Sequence, residues 1–215
     1  EIRLSSVFFA PNLNDIFPFV REASESFPFT MCGRDIDKVL MRIINKYYDL
    51  YSFYNYSRNE KAQHDLKSEF PNIVNINGSV EDEVLLLNAF QKVKPDIVIH
   101  AAALKEVGAM QLYPNEAIQT NIIGLQNVLY HAYRYECLEK FLFISTDKAT
   151  NLDSIMGASK RFGEVLVKNV GGIVVRFGNV LGSRGSLTQI WQRQYDNDEP
   201  LTVTDENMTR FMMTI

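Results

Sequence analysis

The sequence predicts an α/β fold built on a doubly wound parallel sheet of the Rossmann type. Three observations lead there. From about Leu50 onward, short runs rich in β-branched and aromatic residues alternate with stretches of helical period. The runs are apolar without alternation, as at Ile97-Val98-Ile99, which is the pattern of strands buried on both faces. Polar motifs follow several of these runs directly, at the carboxyl strand ends where open α/β sheets hold their ligands.

The elements are expected in this order. Leu50–Tyr56 reads as a strand, Glu60–Glu69 as a short helix, Asn72–Ile76 as a strand and Val80–Val93 as a helix. Asp96–Ala101 is a buried strand. Asn115–Tyr135 carries Ala117, Ile118, Ile122, Leu125, Val128, Leu129 and Ala132 at helical spacing. Lys140–Ser145 is again a strand, Met156–Lys168 a helix and Gly172–Phe177 a strand. The first fifty residues are less regular. Phe8–Phe29 holds Pro11, Pro18 and Pro28 and reads as an irregular arm, with a helix expected around Asp15–Ala23. Ile36–Tyr48 has a helical period, so Phe27–Thr30 would be the first strand, although Pro28 removes a ladder donor.

Composition narrows the function. The 215 residues are 46% hydrophobic and 22% charged, as in a soluble globular domain, and the net charge of −4 offers nothing to nucleic acid. The longest apolar runs fall far short of the ~20 residues of a membrane helix. Cys32 and Cys137 are far apart and form no metal or redox spacing, so no metal site and a reducing cytoplasm are expected.

Several motifs can carry chemistry. Ser145-Thr146-Asp147-Lys148 follows the strand Phe141–Ile144 and sets a hydroxyl, an acid and a base at one strand end. A polar loop capping the next helix is the other reading of these residues. Met156-Gly157-Ala158-Ser159-Lys160 places Met156 and Lys160 one helical turn apart on one face. His100-Ala101-Ala102-Ala103-Leu104-Lys105 follows the strand Asp96–Ile99. Thr120-Asn121 lies in the long helix. Arg176-Phe177-Gly178-Asn179 runs on to Gly182-Ser183-Arg184-Gly185-Ser186, and Met208-Thr209-Arg210-Phe211 comes last.

Taken together, from about Tyr54 to Ile215, these motifs resemble the extended short-chain dehydrogenase/reductases that act as UDP-N-acetylglucosamine 4,6-dehydratases in bacterial surface-glycan synthesis. The resemblance implies several roles. Met156 stands at the position of the catalytic tyrosine, as in a subgroup of the family, and Lys160 holds the nicotinamide ribose. Thr146, Asp147 and Lys148 carry the proton transfers. The turn Ala101, Ala102, Ala103 passes under the dinucleotide, with Lys105, Asn121 and Ser145 beside it, and Asn121 supports the Lys160 helix through water. Lys105 also reaches toward substrate. Asn179, Arg184, Ser186 and Arg210 bind the UDP-sugar, the arginines because guanidinium forks match phosphate oxygens. Ser57 and Arg58 after the second strand suit a 2′-phosphate, so NADP is expected over NAD.

The resemblance also implies a dinucleotide-binding domain over 29–185, preceded by an arm over 1–28 and followed by the beginning of a substrate-binding region over 186–215. The family runs on beyond that point, so this region is expected to be incomplete. Homo-oligomers, and a cytoplasmic place at the inner membrane surface, are further implications. The sequence departs from the family at the phosphate loop. Aligned to Thr-Gly-x-x-Gly-x-x-Gly, Thr30–Asp37 has Met31, Arg34 and Asp37 at the glycine positions, and Gly33 is not one of them. Three explanations stand: a degenerate loop in a non-catalytic nucleotide-sugar-binding protein, a phosphate held by Arg34, or residues missing or misplaced here. Ser79 replaces a family aspartate near the adenine and Glu106 a family histidine. A sugar epimerase of the same superfamily is the third functional alternative, and it normally needs the tyrosine.

Overall fold

The computed structural model describes residues 7–10, 52–134, 140–181 and 186–213. A six-stranded sheet in the order β3-β2-β1-β4-β5-β6 forms the centre. Its strands are β1 (Val7–Ala10), β2 (Tyr54–Ser57), β3 (Val74–Asn77), β4 (Ile97–His100), β5 (Lys140–Thr146) and β6 (Ile173–Phe177). β2 pairs parallel with β3, and β4, β5 and β6 pair parallel in series, with Ile97 opposite Lys140 and Ser145 opposite Arg176.

The expected strand at Phe27–Thr30 and the helices around Asp15–Ala23 and Ile36–Tyr48 lie outside the described residues. The central slot between β2 and β4 is filled by Val7–Ala10, within the stretch read as an irregular arm. It runs antiparallel to both neighbours, Val7 facing Tyr56 on one side and His100 on the other. The expected doubly wound parallel sheet is thus present in β2–β3 and β4–β5–β6, and β1 alone runs against it. The physical reason is that a short Val-Phe-Phe-Ala run satisfies strand propensity in either direction, and hydrogen-bond ladders close both ways.

The helices are α1 (Glu60–Glu69), α2 (Glu83–Val93), α3 (Val107–Leu112), α4 (Pro114–Ala117), α5 (Gly124–Arg134), α6 (Ile155–Asn169) and α7 (Leu187–Asp196). A π-helical turn, Ile118–Ile123, joins α4 to α5, so the single helix expected over Asn115–Tyr135 is interrupted at Asn121. α3 and α7 were not expected. Side chains cap the starts: Asn59 accepts from the Ala62 amide, Asp82 from Leu85 and Ser154 from Gly157. A two-stranded ribbon, β7 (Asn179–Val180) with β8 (Met212–Met213), stands apart from the main sheet.

Apolar side chains cover both faces of the sheet. Val98, Phe141 and Phe143 pack with Phe90, Leu125, Val128 and Val167, and Ile97, Ile99 and Ile144 pack with Phe53, Leu66 and Ile73. Each such side chain contributes about 1.5–3 kcal/mol when fully buried. This two-sided core fixes the strand ends that carry the polar motifs. Among the described residues, no helix is long and apolar enough to cross a membrane, and no cluster of His, Cys, Asp and Glu could hold a metal ion.

Candidate active site

The carboxyl end of β5 runs straight into a 3-10 turn, Asp147–Ala149. Thr146 ends the strand, and its hydroxyl does two things: it accepts from the Lys148 amide at 3.4 Å and donates to Asp147 Oδ1 at 2.9 Å. Lys148 Nζ donates to the same Asp147 oxygen at 3.0 Å and to Asn179 Oδ1 at 2.7 Å. All three side chains are partly exposed. Burial pushes the Asp147 carboxyl up, but the hydrogen bonds from Lys148 and Thr146 and the Lys148 charge outweigh it and hold the group below its usual range. Asp147 is therefore a carboxylate at rest.

Behind this turn lies α6, whose face at Met156, Lys160 and Glu164 is buried. Met156 packs with Leu104, Met110 and Ala117, and its thioether has no proton to give. Lys160 Nζ donates to the Ile144 carbonyl at 2.6 Å and sits 4.4 Å from the centre of the Phe143 ring. Burial, only partly offset by Glu164, lowers the Lys160 ammonium to about 7. Its neighbour His100 is wholly buried. Burial and the Lys160 charge lower it to about 3, so the ring is neutral. Neither ring nitrogen meets a well-formed hydrogen-bond partner among the described residues, although the Ala102 backbone is close enough to oppose the lowering.

Glu164 is the polar hub that sequence reasoning missed. It is fully buried. It accepts from the Ser145 hydroxyl at 2.7 Å, from Arg176 through two bonds of 2.7 and 2.6 Å, and from Arg161 at 3.0 Å. Burial raises its carboxyl, but these donors prevail and bring it down to about 2. The network ties α6 to β5 and β6 one residue before Thr146. The fork-to-fork pairing of Arg176 with a carboxylate is the strong geometry for such a tie. The clue available in the sequence was the spacing of Glu164, four residues past Lys160 and eight past Met156.

The other expected site residues fall as follows. Ser145, expected at the cofactor, is buried and spends its hydroxyl on Glu164. Asn121 clamps Leu104, accepting from its amide at 2.7 Å and donating to its carbonyl at 3.0 Å. It also donates to the Ser159 hydroxyl of α6 at 2.9 Å. Leu104 thereby fixes the turn Ala101–Ala103, with Ala102 buried and Lys105 exposed. Ser57 is buried and its hydroxyl accepts from the Asn59 amide. Arg58 is partly exposed and pairs with Glu81 at 3.5 Å, while Glu81 also accepts from Thr120. Ser186 starts α7 and its hydroxyl meets that of Thr188. Arg210 is exposed and donates to the Thr209 carbonyl. Arg184 and the phosphate-loop stretch Thr30–Asp37 lie outside the described residues.

Residues 30–215 match the family described as "Polysaccharide biosynthesis protein". The chain belongs to this family. It is 44% identical over 142 residues to the probable polysaccharide biosynthesis protein EpsC of Bacillus subtilis, covering 63% of this chain and 24% of that one. It is 37% identical over 171 residues to a UDP-glucose 4-epimerase of Rickettsia felis, covering 74% of this chain and 49% of the relative. Among solved structures it resembles that of Pen from Bacillus thuringiensis, with 36% identity and a TM-score of 0.68 over 74% of this chain and 52% of the other. The chain thus spans about a quarter to a half of the length of these relatives. The fold is Rossmann-like, as in these structural neighbours.

Proposed function

We propose that the chain carries the catalytic core of an NADP-dependent 4,6-dehydratase acting on a UDP-hexosamine, UDP-N-acetylglucosamine by the family resemblance. The observation that carries this reading is the hydrogen-bonded unit Thr146–Asp147–Lys148 at the end of β5, packed against the start of α6 at Gly157, where the preceding residue is a methionine that cannot move a proton. With methionine at the position of the family's tyrosine, the proton transfers fall to the carboxylate and the amine.

The described residues fit part of a dinucleotide. The small side chains of Ala101–Ala103 leave room for close approach, Lys160 would hold the nicotinamide ribose, and Arg58 would meet a 2′-phosphate on exchanging Glu81 for it. When bound, the nicotinamide supplies a reversible acceptor for the sugar's hydride. The chain's own residues then move protons. Asp147, ionised at rest, takes the C4 hydroxyl proton, with Thr146 holding that oxygen. Lys148, once a proton has left its ammonium for solvent, takes the proton from C5, made acidic by the new C4 ketone. Asp147 passes its proton to the C6 hydroxyl, which leaves as water. Lys148 returns a proton to C5 and regains one from solvent. Each group ends in the state in which it began. Asn179, Ser186, Arg184 and Arg210 would bind the UDP-sugar.

A second reading, a 4-epimerase, is favoured by the identity to the Rickettsia felis epimerase. Met156 counts against it, because reversible oxidation at C4 alone relies on a phenolic base.

Thermal melting with NADP, NAD and UDP-N-acetylglucosamine added separately tests the binding half. A ligand at ~100 times its Kd adds roughly 2.7 kcal/mol to the folded state. NADP should stabilise more than NAD, and the UDP-sugar should stabilise too. Stabilisation by the UDP-sugar with neither dinucleotide effective would instead mark a non-catalytic binding protein.

A further inference from the structure

We infer that Asn179 is a positioning residue for the proton-transfer lysine, and that it links Lys148 to the chain segment carrying Arg210. The inference deepens the dehydratase reading and rests on Lys148 acting as the base. Residues that only bind a UDP-sugar need not touch the proton-transfer group. Asn179 Oδ1 does so at 2.7 Å, closer than the 3.0 Å contact of Lys148 with Asp147. Charged groups on α6 and just before the ribbon have other partners. On α6, Lys160 is bound to the Ile144 carbonyl and Arg161 to Glu164, and Arg210 is bound to the Thr209 carbonyl. Asp147 and Asn179 therefore set the place of Nζ between them.

A neutral amide in this position is chemically apt. A carbonyl oxygen orients an amine as well as an ammonium, because both carry N–H donors. A second carboxylate added to Asp147 would strengthen the hold on the ammonium proton, the opposite of what a base needs.

The backbone of Asn179 supplies the link. Its amide donates to the Phe211 carbonyl at 2.8 Å, and Leu181 donates to Met213 at 3.0 Å. Asn179 and Met212 are register partners in the β7–β8 ribbon. Gly178 lets the two chains approach this closely, since a Cβ there would lie 2.8 Å from the Phe211 oxygen. Arg210 is the residue before Phe211. Anion binding at Arg210 and the placing of Lys148 thus share one short ribbon.

Competitive acetylation of lysines as a function of pH, read by peptide mass spectrometry on the whole chain, tests this without requiring turnover. In Asn179→Asp the midpoint of Lys148 labelling should rise by about one to three pH units, while Lys160 and surface lysines keep theirs. In Asn179→Ala, Lys148 should label faster at a given pH, having lost a partner. Equal midpoints in wild type and both variants, with unchanged melting temperatures, would overturn the inference. A parallel Lys148→Met variant separates the two readings. If it still converts the UDP-sugar, Lys148 is not the base, whatever the labelling shows of its contact with Asn179.

Discussion

Replacing Glu164 with glutamine tests whether the buried hub holds the end of β5. Glu164 is fully buried and takes donors from Ser145, Arg161 and Arg176. Its carboxyl falls from the usual 4.5 to about 2. At about 1.4 kcal/mol per unit, the ionised form is favoured in the folded chain by roughly 3 kcal/mol. Breaking one side of a buried ion pair costs about 3–5 kcal/mol in other proteins, which agrees. Because the folded value is depressed, this stability is present above about 4.5 and is lost as the pH falls toward about 2. Urea titration at pH 7 should show the midpoint of Glu164→Gln falling by about 1–2 M, for a slope near 2 kcal/mol/M. Near pH 3 the gap should shrink to roughly 1 kcal/mol. Equal midpoints at pH 7 would refute the assigned network. A gap of the same size at pH 3 would show that the loss comes from packing rather than charge.

Two further outcomes follow from the same geometry. Lys160 is lowered from 10.5 to about 7, so its burial destabilises the fold most fully below about 7, and the cost fades as the pH rises toward 10.5. Lys160→Met should therefore be more stable than wild type at pH 6, by on the order of a few kcal/mol, with the advantage narrowing by pH 10 in urea melts. Asp147→Asn should abolish water loss from the sugar by about two to four orders of magnitude, while UDP binding by calorimetry stays within about twofold of wild type.

Much of the sheet was legible because its strands are locally encoded. Glu60–Glu69 forms over the expected residues since Asn59 caps it, and β5, α6 and β6 fall within a residue or so of their expected bounds. The identity and direction of the central strand were not legible. Val7–Ala10 is four residues long, and whether it runs with or against its neighbours is decided by chain routing rather than by its side chains. The π-helical turn was hidden because Thr120-Asn121-Ile122 keeps a helical period, and only the clamp of Asn121 on Leu104 shows why the register changes there. At the site, Thr146, Asp147 and Lys148 were visible as a motif because they are adjacent in sequence. Glu164 with Ser145 and Arg176, and Lys148 with Asn179, were not, because those pairs meet only after the sheet forms. Ser145 shows the converse. Its place in a motif suggested a ligand contact, and the structure spends its hydroxyl on holding α6.

In the proposed reaction Asp147 and Lys148 eliminate water across C5 and C6. The most direct measurement is mass spectrometry of UDP-N-acetylglucosamine after incubation with the protein and NADP in heavy water. Such an elimination gives a product lighter by one water and carrying one solvent deuterium at C5, because Lys148 exchanges its proton with solvent before returning it. A product of unchanged composition, inverted at C4 and free of deuterium, would rule out the elimination and establish the epimerase reading.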